Sequence, residues 1–435
     1  MSPYAIRGVR TRFLYFFFQS DFFSYSLLPL FIIIILSLHA KTSFLLQSAD
    51  LCQHFIYINT MKNMKKTFLI LSLLCGFATL FAQPRRFNAE HPYVHDPVMA
   101  RGEDGRYYIF STGMGVGVIS SGDMKTWQHE PSVFKLEFKP VPDGEDKWQH
   151  RRNFEVDWAA STLPRWGVDT IPGYRGHMWA PDISFHNGQW YLYYSCSTFG
   201  KNGSAIGMAT NKTLDPKSPD FRWTDHGAVI VSHKHKDNWN AIDPNLILDE
   251  KGNPYLTFGS FWDGIQLVRL SDTDYKTPVS KPKTISRRIG RKLSIEDIDK
   301  VENFTIEGND TIEAGENAVE APFIIRNGKY FYLFVSFDYC CRGQRSTYKT
   351  VYGRSKNIEG PYLDKEGRPM EKGGGTFLYG PSDNNFGIGH CSAYQFDGQW
   401  YFVSHAYNKD ANGQAQLFMR KFTFDKKGWI VADPE

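Results

Sequence analysis

The 435-residue sequence predicts an all-β fold, a five-bladed β-propeller with its functional site at the mouth of the central channel. Three observations predict it. Hydrophobic residues at 42% and charged residues at 22% exclude a disordered chain, while 16% aromatics, 37 Gly and 22 Pro point to strands separated by tight turns. A turn-plus-aromatic-strand pattern then recurs five times, and a second strand pattern precedes each copy.

From the N-terminus, Lys62, Lys65 and Lys66 stand before an apolar run from Thr67 to Phe81, and Leu80-Phe81-Ala82 closes it. That is the layout of a secretory signal, so residues 61–82 are expected to be a signal peptide cut after Ala82. An exported protein, periplasmic or extracellular, follows. Lipoprotein anchoring through Cys75 is the weaker alternative, because Leu74 precedes it where a small residue is needed. Residues 1–60 are expected to derive from an upstream start codon; the alternative is a membrane anchor built on Leu27 to Leu38, which Pro29 interrupts. Removing the seven Lys/Arg and two acidic residues of 1–82 leaves 43 basic and 44 acidic residues, with no concentrated positive field for nucleic acid or an anionic membrane. A monomer is expected.

Residues 83–435 are expected to be the propeller. The repeated strand reads DGRYYIFS from Asp104, NGQWYLYYS from Asn187, KGNPYLTFGS from Lys251, NGKYFYLFVS from Asn327 and DGQWYFVS from Asp397. Each opens on a turn glycine (Gly105, Gly188, Gly252, Gly328, Gly398), so each copy is the second strand of a hairpin. The preceding strands begin DPVMA at Asp96, APDISF at Ala180, DPNLIL at Asp243, EAPFII at Glu320 and HCSAYQF at His390. Several copies continue into a third strand, as at Ala205 to Thr210 and Gln416 to Phe422. Hairpins spaced by roughly 70 residues suit four-stranded propeller blades with long loops. The one good helix candidate, Ser294 to Val301, falls in a loop. Four cysteines remain in this region, Cys196, Cys340, Cys341 and Cys391, and buried thiols are expected, since neighbouring cysteines would close only a small ring.

In a propeller the leading ends of the inner strands converge on one mouth, and Asp96, Asp182, Asp243, Glu320 and His390 occupy comparable places there. A single Asp-Pro reads equally well as a turn initiator. Three carboxylates at one axis read differently, because gathering like charges is costly and is tolerated for catalysis or metal binding.

The segments VHDP (94–97), MWAPD (178–182), NAIDPN (240–245), GSFW (259–262), VEAP (319–322), FDYCCRG (337–343) and GIGH (387–390) together resemble glycoside hydrolase family 43, and within it the arabinanases. The resemblance runs over nearly all of 91–410. It implies a five-bladed propeller and hydrolysis of α-1,5-linked L-arabinan with inversion, first expected to be endo-acting (the arabinan endo-1,5-α-L-arabinosidase type). It further implies that Asp96 is the general base, Glu320 the general acid, and Asp243 the carboxylate that raises and orients the acid. An inverting pair needs one protonated and one ionised carboxyl with room for water between, and a third carboxylate near the acid helps to keep the acid neutral. By the same resemblance His390 reaches a calcium ion through water, with sodium as the alternative. Trp179 and Trp262 are candidate sugar-stacking residues, and His95 and Asn240 candidate substrate contacts beside the aspartates.

Exo-arabinanase, α-L-arabinofuranosidase and β-xylosidase activities share these acids and differ in the cleft wall. The insertion between Asp123 and Trp179, with Trp148, Arg151, Arg152, Trp158 and Trp166, is the place for such a wall. A non-catalytic carbohydrate-binding propeller would have been favoured by loss of any of the three acids. A retaining fructan hydrolase would need an Asn-Asp-Pro-Asn-Gly context that His95-Asp96-Pro97 lacks.

Overall fold

The computed structural model describes residues 87–140, 154–234, 236–288 and 317–435. The signal-peptide and upstream segments, the Ser294 to Val301 helix candidate, and Trp148, Arg151 and Arg152 lie outside the described residues.

The described chain is all-β apart from one short helix and two 3-10 turns. In order come β1 (Val98–Arg101), β2 (Tyr107–Ser111), β3 (Gly113–Met114), β4 (Gly117–Ser121), β5 (Gln128–Glu130), β6 (Phe138–Pro140), β7 (Phe154–Val156) and the helix α1 (Arg165–Thr170). Then come β8 (His177–His186), β9 (Gln189–Cys196), β10 (Ser204–Asn211), β11 (Thr224–Ser232), β12 (Asn245–Leu248), β13 (Pro254–Phe258), β14 (Ile265–Arg269) and β15 (Lys283–Ser286). The chain continues as β16 (Val319–Asn327), β17 (Tyr330–Phe337), β18 (Lys349–Ser355), β19 (Thr376–Tyr379), β20 (Asn385–Phe396), β21 (Gln399–Asn408), β22 (Gln414–Phe424) and β23 (Ile430–Ala432).

Neighbours in sequence pair antiparallel: β1-β2-β4-β5, then β8-β9-β10-β11 with β3 added on the outside of β8, then β12-β13-β14-β15. The last sheet joins β16-β17-β18-β19 to β20-β21-β22-β23 through one parallel residue pair, Lys349 with Ile388. All five turn glycines have positive φ, between 57° and 83°. The space beyond each is open, so the turn conformation and not crowding calls for glycine there. Aromatic side chains of the repeat go inside: Tyr108, Phe110, Tyr193, Tyr194, Phe258, Phe331, Tyr332 and Phe334 are all fully buried. The aromatic excess therefore serves strand packing first.

First and last sheets touch. Tyr93 bridges to Gln416, the Leu417 N–H donates to the Pro92 carbonyl, and Ser392 Oγ donates to the Pro97 carbonyl. The Asp425 to Glu435 segment turns back as β23, which pairs with β22.

Each of the five leading strands also carries one non-glycine residue in the left-handed region, at or near its start or, in β20, at a register shift midway along it. These are Asp96 (φ 53°), Ala180 (44°), Asp243 (58°), Ala321 (56°) and His390 (50°). Such a conformation costs roughly 1–3 kcal/mol at each residue. The strain re-aims the backbone at the same end of every leading strand, and it fixes the true register of the repeat.

Candidate active site

That register corrects the sequence alignment of the acids. Asp96, Asp243 and His390 are equivalent, but Asp182 lies two residues beyond Ala180, past a register shift between Trp179 and Asp182. Its buried carboxylate accepts from the Leu246 N–H at 2.8 Å and from Asn245 Nδ2 at 3.1 Å, tying β8 to β12. Burial raises its pKa to about 6, and its role is structural.

The left-handed residues turn their N–H groups toward the end of the second strand of the preceding sheet. Ala180 donates to Thr112 Oγ1 (2.8 Å), Asp243 to Ser195 Oγ (3.1 Å) and His390 to Ser336 Oγ (2.8 Å). Asp96, in the first sheet, donates to His405 Nδ1 of the last (3.1 Å). Ala321 breaks the pattern. Its N–H goes to Asp243 Oδ2 at 3.1 Å, and the corresponding hydroxyl, Ser260 Oγ, donates to Glu320 Oε2 at 2.8 Å. Tyr348 Oη donates to the other oxygen, Oε1, at 2.7 Å. The Glu320 carboxyl is thus held from both sides.

Asp96 is 7% exposed and receives three side-chain donors: His95 Nδ1 (2.8 Å) and His390 Nδ1 (2.9 Å) on Oδ1, and Thr112 Oγ1 (2.5 Å) on Oδ2. Burial opposes its charge, but His390 and His95 outweigh burial and hold the carboxyl well below its usual range. Asp243 goes the other way. Burial, reinforced by the Glu320 and Asp96 carboxylates and only partly offset by His390, pushes it up to about 8. Asp243 thus carries its proton near neutral pH, beside the ionised Asp96. For His390 burial favours the neutral ring, yet Asp96, Asp243 and Glu320 together raise it to about 9. The positive charge facing the acids is therefore the His390 imidazolium.

The expected metal role meets a specific donor set. Among the described residues, groups of three ligating side chains within reach of one ion meet at His95, not at His390. As an imidazolium His390 has no free ring lone pair, so an oxygen-seeking cation beside it would be held by water and not by the ring, which suits only a hydrated ion.

The other expected substrate contacts separate. His95 has both ring nitrogens engaged, Nδ1 by Asp96 and Nε2 by Tyr407 Oη at 2.9 Å, and one face stacked on His405 at 4.0 Å. Trp179 is half-buried, with Nε1 donating to His177 Nδ1 at 2.9 Å. Trp262 is buried, 5% exposed. Asn240 is also buried, and its Oδ1 and the Trp262 Nε1 have no protein partner.

The cysteine expectation is half corrected. Cys196 and Cys391 are buried free thiols, whereas Cys340 and Cys341 form a disulfide. Left-handed backbone at Asp338 and Cys341 curls this loop, and Arg342 stacks on Tyr339 at 3.9 Å. The pair lies against His95, with Cys341 Sγ 3.8 Å from Nε2. Sequence reasoning missed Ser260, Tyr348, His405 and Tyr407; the hydroxyl or imidazole ending each repeated strand (Thr112, Ser195, Ser260, Ser336, His405) was the available signal.

The family model described as glycosyl hydrolases family 43 matches residues 92–430, nearly the whole described region. The chain belongs to this family. Among family 43 relatives, the extracellular exo-α-(1→5)-L-arabinofuranosidase ArbA of Cellvibrio japonicus is 41% identical over 365 residues, covering 84% of this chain and 90% of the relative. The extracellular endo-α-(1→5)-L-arabinanase 1 of Bacillus subtilis is 35% identical, covering 80% and 90%. A crystal structure of an exo-1,5-α-L-arabinanase from a bovine ruminal metagenomic library is 54% identical, with a TM-score of 0.67 over 81% of this chain and all of that one.

Proposed function

We propose that the protein is an exported glycoside hydrolase that cleaves α-1,5-linked L-arabinan with inversion, at the mouth of a five-bladed β-propeller. One observation carries the reading: carboxyl groups in a single site have protonation states pushed apart, Asp96 ionised and Asp243, beside Glu320, raised to about 8. Glu320 donates its proton to the leaving oxygen while Asp96 takes one from the attacking water. Between turnovers Asp96 releases its proton to solvent and Glu320 takes one up beside the Asp243 carboxyl. The propeller reading is supported by the five left-handed strand starts and by the bonds between first and last sheets.

For the mode of attack we infer release from a chain end, in place of the endo action expected from sequence. The exo names of relatives 54% and 41% identical support it. So does the insertion: Lys135 and Thr162 exchange hydrogen bonds of 2.7 and 3.0 Å, and Leu163 and Trp158 crowd Gly176 at the start of β8. This builds a wall next to His177 and Trp179. The 35% identical relative named as an endo enzyme supports the second reading, an open cleft. Early product analysis on linear arabinan separates them: a single short product from the first time point is expected, and an early mixed series of oligosaccharides would restore endo action. The first-formed product carries the inverted anomeric configuration, read by proton NMR.

Calcium, or sodium in its place, is the proposed ion beside His390, where it would add positive charge facing the three acids. Dialysis against a chelator is expected to lower kcat, and calcium to restore it. Unchanged kcat would leave that charge to the imidazolium alone.

A further inference from the structure

We propose that Tyr407 is a positioning residue for the general base, acting in a closed ring of hydrogen bonds that begins and ends on Asp96 and is pinned by the Cys340–Cys341 disulfide. The proposal rests on the base reading of Asp96.

The ring can be followed proton by proton. The Asp96 backbone N–H donates to His405 Nδ1 at 3.1 Å, so in the neutral ring the His405 proton sits on Nε2. That Nε2 lies 3.1 Å from Tyr407 Oη and donates to it. The Cys341 backbone N–H donates to the same oxygen at 2.8 Å. With both lone pairs of Oη occupied, the Tyr407 proton faces His95 Nε2 at 2.9 Å and, at 3.9 Å, the Cys341 sulfur, and the nearer ring nitrogen is the stronger acceptor. His95 must then carry its proton on Nδ1, where it donates to Asp96 Oδ1 at 2.8 Å. Each donor meets one acceptor, and no second arrangement of neutral rings satisfies all five bonds.

The surroundings favour that arrangement. His405 is fully buried and sandwiched between His95 (4.0 Å) and Tyr348 (5.8 Å), and burial with the neighbouring histidines keeps its ring neutral. Tyr407 is 3% exposed. The groups facing the ring are Asp96, His390 and Cys341; Glu320 is one step further, through Tyr348. The disulfide enters through the Cys341 N–H. Without that donor, a lone pair of Oη is free, and Tyr407 can accept from His95 in place of donating to it. His95 would then turn its unprotonated nitrogen toward Asp96. The bond between adjacent sulfurs thus helps to select which His95 nitrogen faces the base, a role for FDYCCRG (337–343) that the three acids do not explain.

Long-range proton–nitrogen NMR of the full chain with labelled histidine reads the tautomers without reference to turnover, with His95 assigned from the spectrum of His95→Asn. Protonation of His95 at Nδ1 and of His405 at Nε2 is expected; the opposite tautomers, or a charged His405, would overturn the ring. In kinetics Tyr407→Phe is expected to lower kcat by about 10- to 100-fold with KM within about twofold, since misplaced catalytic groups cost turnover more than binding. The Cys340→Ser/Cys341→Ser double variant, or the wild type after reduction by a phosphine, should move kcat in the same direction by less. A change in KM alone, or unchanged kcat in all three, contradicts the proposal. Retained turnover in Asp96→Asn would remove the base reading alone, because the tautomer signals stand apart from it.

Discussion

Glu320→Gln lowers kcat on linear arabinan by about 10²- to 10⁴-fold, and an aryl arabinofuranoside with an acidic phenol recovers most of the loss. The magnitude is that of a general acid removed from a reaction whose leaving alkoxide needs a proton. The recovery follows from the same chemistry, because a phenolate leaves without help. Glutamine preserves the shape of the side chain and accepts from Ser260 or Tyr348, which now donate to the two oxygens at 2.8 and 2.7 Å. A folding defect is therefore not the expected cause of the loss. Asp96→Asn should behave oppositely, losing turnover on both substrates, because the attacking water needs its base whatever departs. Equal losses on both substrates in the Glu320 variant would contradict the acid assignment. Steady-state kinetics on the two substrates, with melting curves for each variant, give the answer.

How far the sequence carried this reading depends on the range of the interactions. The Asp-Gly and Asn-Gly turns and the aromatic strands after them are local, and the five turn glycines took the left-handed conformation that their sequence demands. Asp96, Asp243 and Glu320 were legible because they begin repeated strands. Asp182 was misread for a physical reason. A bulge sets which residue faces the site, and a shift of register between Trp179 and Asp182 sends that carboxylate to the neighbouring sheet. No residue pattern in APDISF marks the phase of the bulge. Tyr348, His405 and Tyr407 were missed because their partners are distant in the chain: Tyr407 meets His95 across 312 residues. The Cys340–Cys341 bond was argued against from spacing, and the left-handed backbone at Cys341 that accompanies it is a property of the folded loop.

Asp243→Asn is expected to make the protein more stable and nearly inactive at neutral pH. The sign follows from proton counting. The unfolded Asp243 ionises near the ordinary aspartate value of 3.8, while burial first, and then Glu320 and Asp96, raise the folded carboxyl to about 8. Between these values the native state binds more protons than the unfolded one, so this group's contribution falls as pH rises from about 4 to about 8 and is level above that. Asparagine has no proton to lose, and its oxygen keeps the bond from the Ala321 N–H. The difference in stability between variant and wild type should thus be small at pH 4 and grow to on the order of 1–3 kcal/mol by pH 8, a size seen when buried charge is replaced. His390 contributes in another window. Burial favours its neutral ring, but the carboxylates raise it to about 9, so its stabilisation is complete below the unfolded value near 6.5 and fades as pH passes 9. Denaturant titrations of both proteins from pH 4 to 8 test the slope, and parallel curves would refute a raised Asp243. Activity moves the other way: Glu320 loses the neighbouring carboxyl of the proposed acid site, and kcat falls about 10²-fold or more. A buried carboxyl that costs stability in the pH range where it supports turnover belongs to the chemistry and not to the fold.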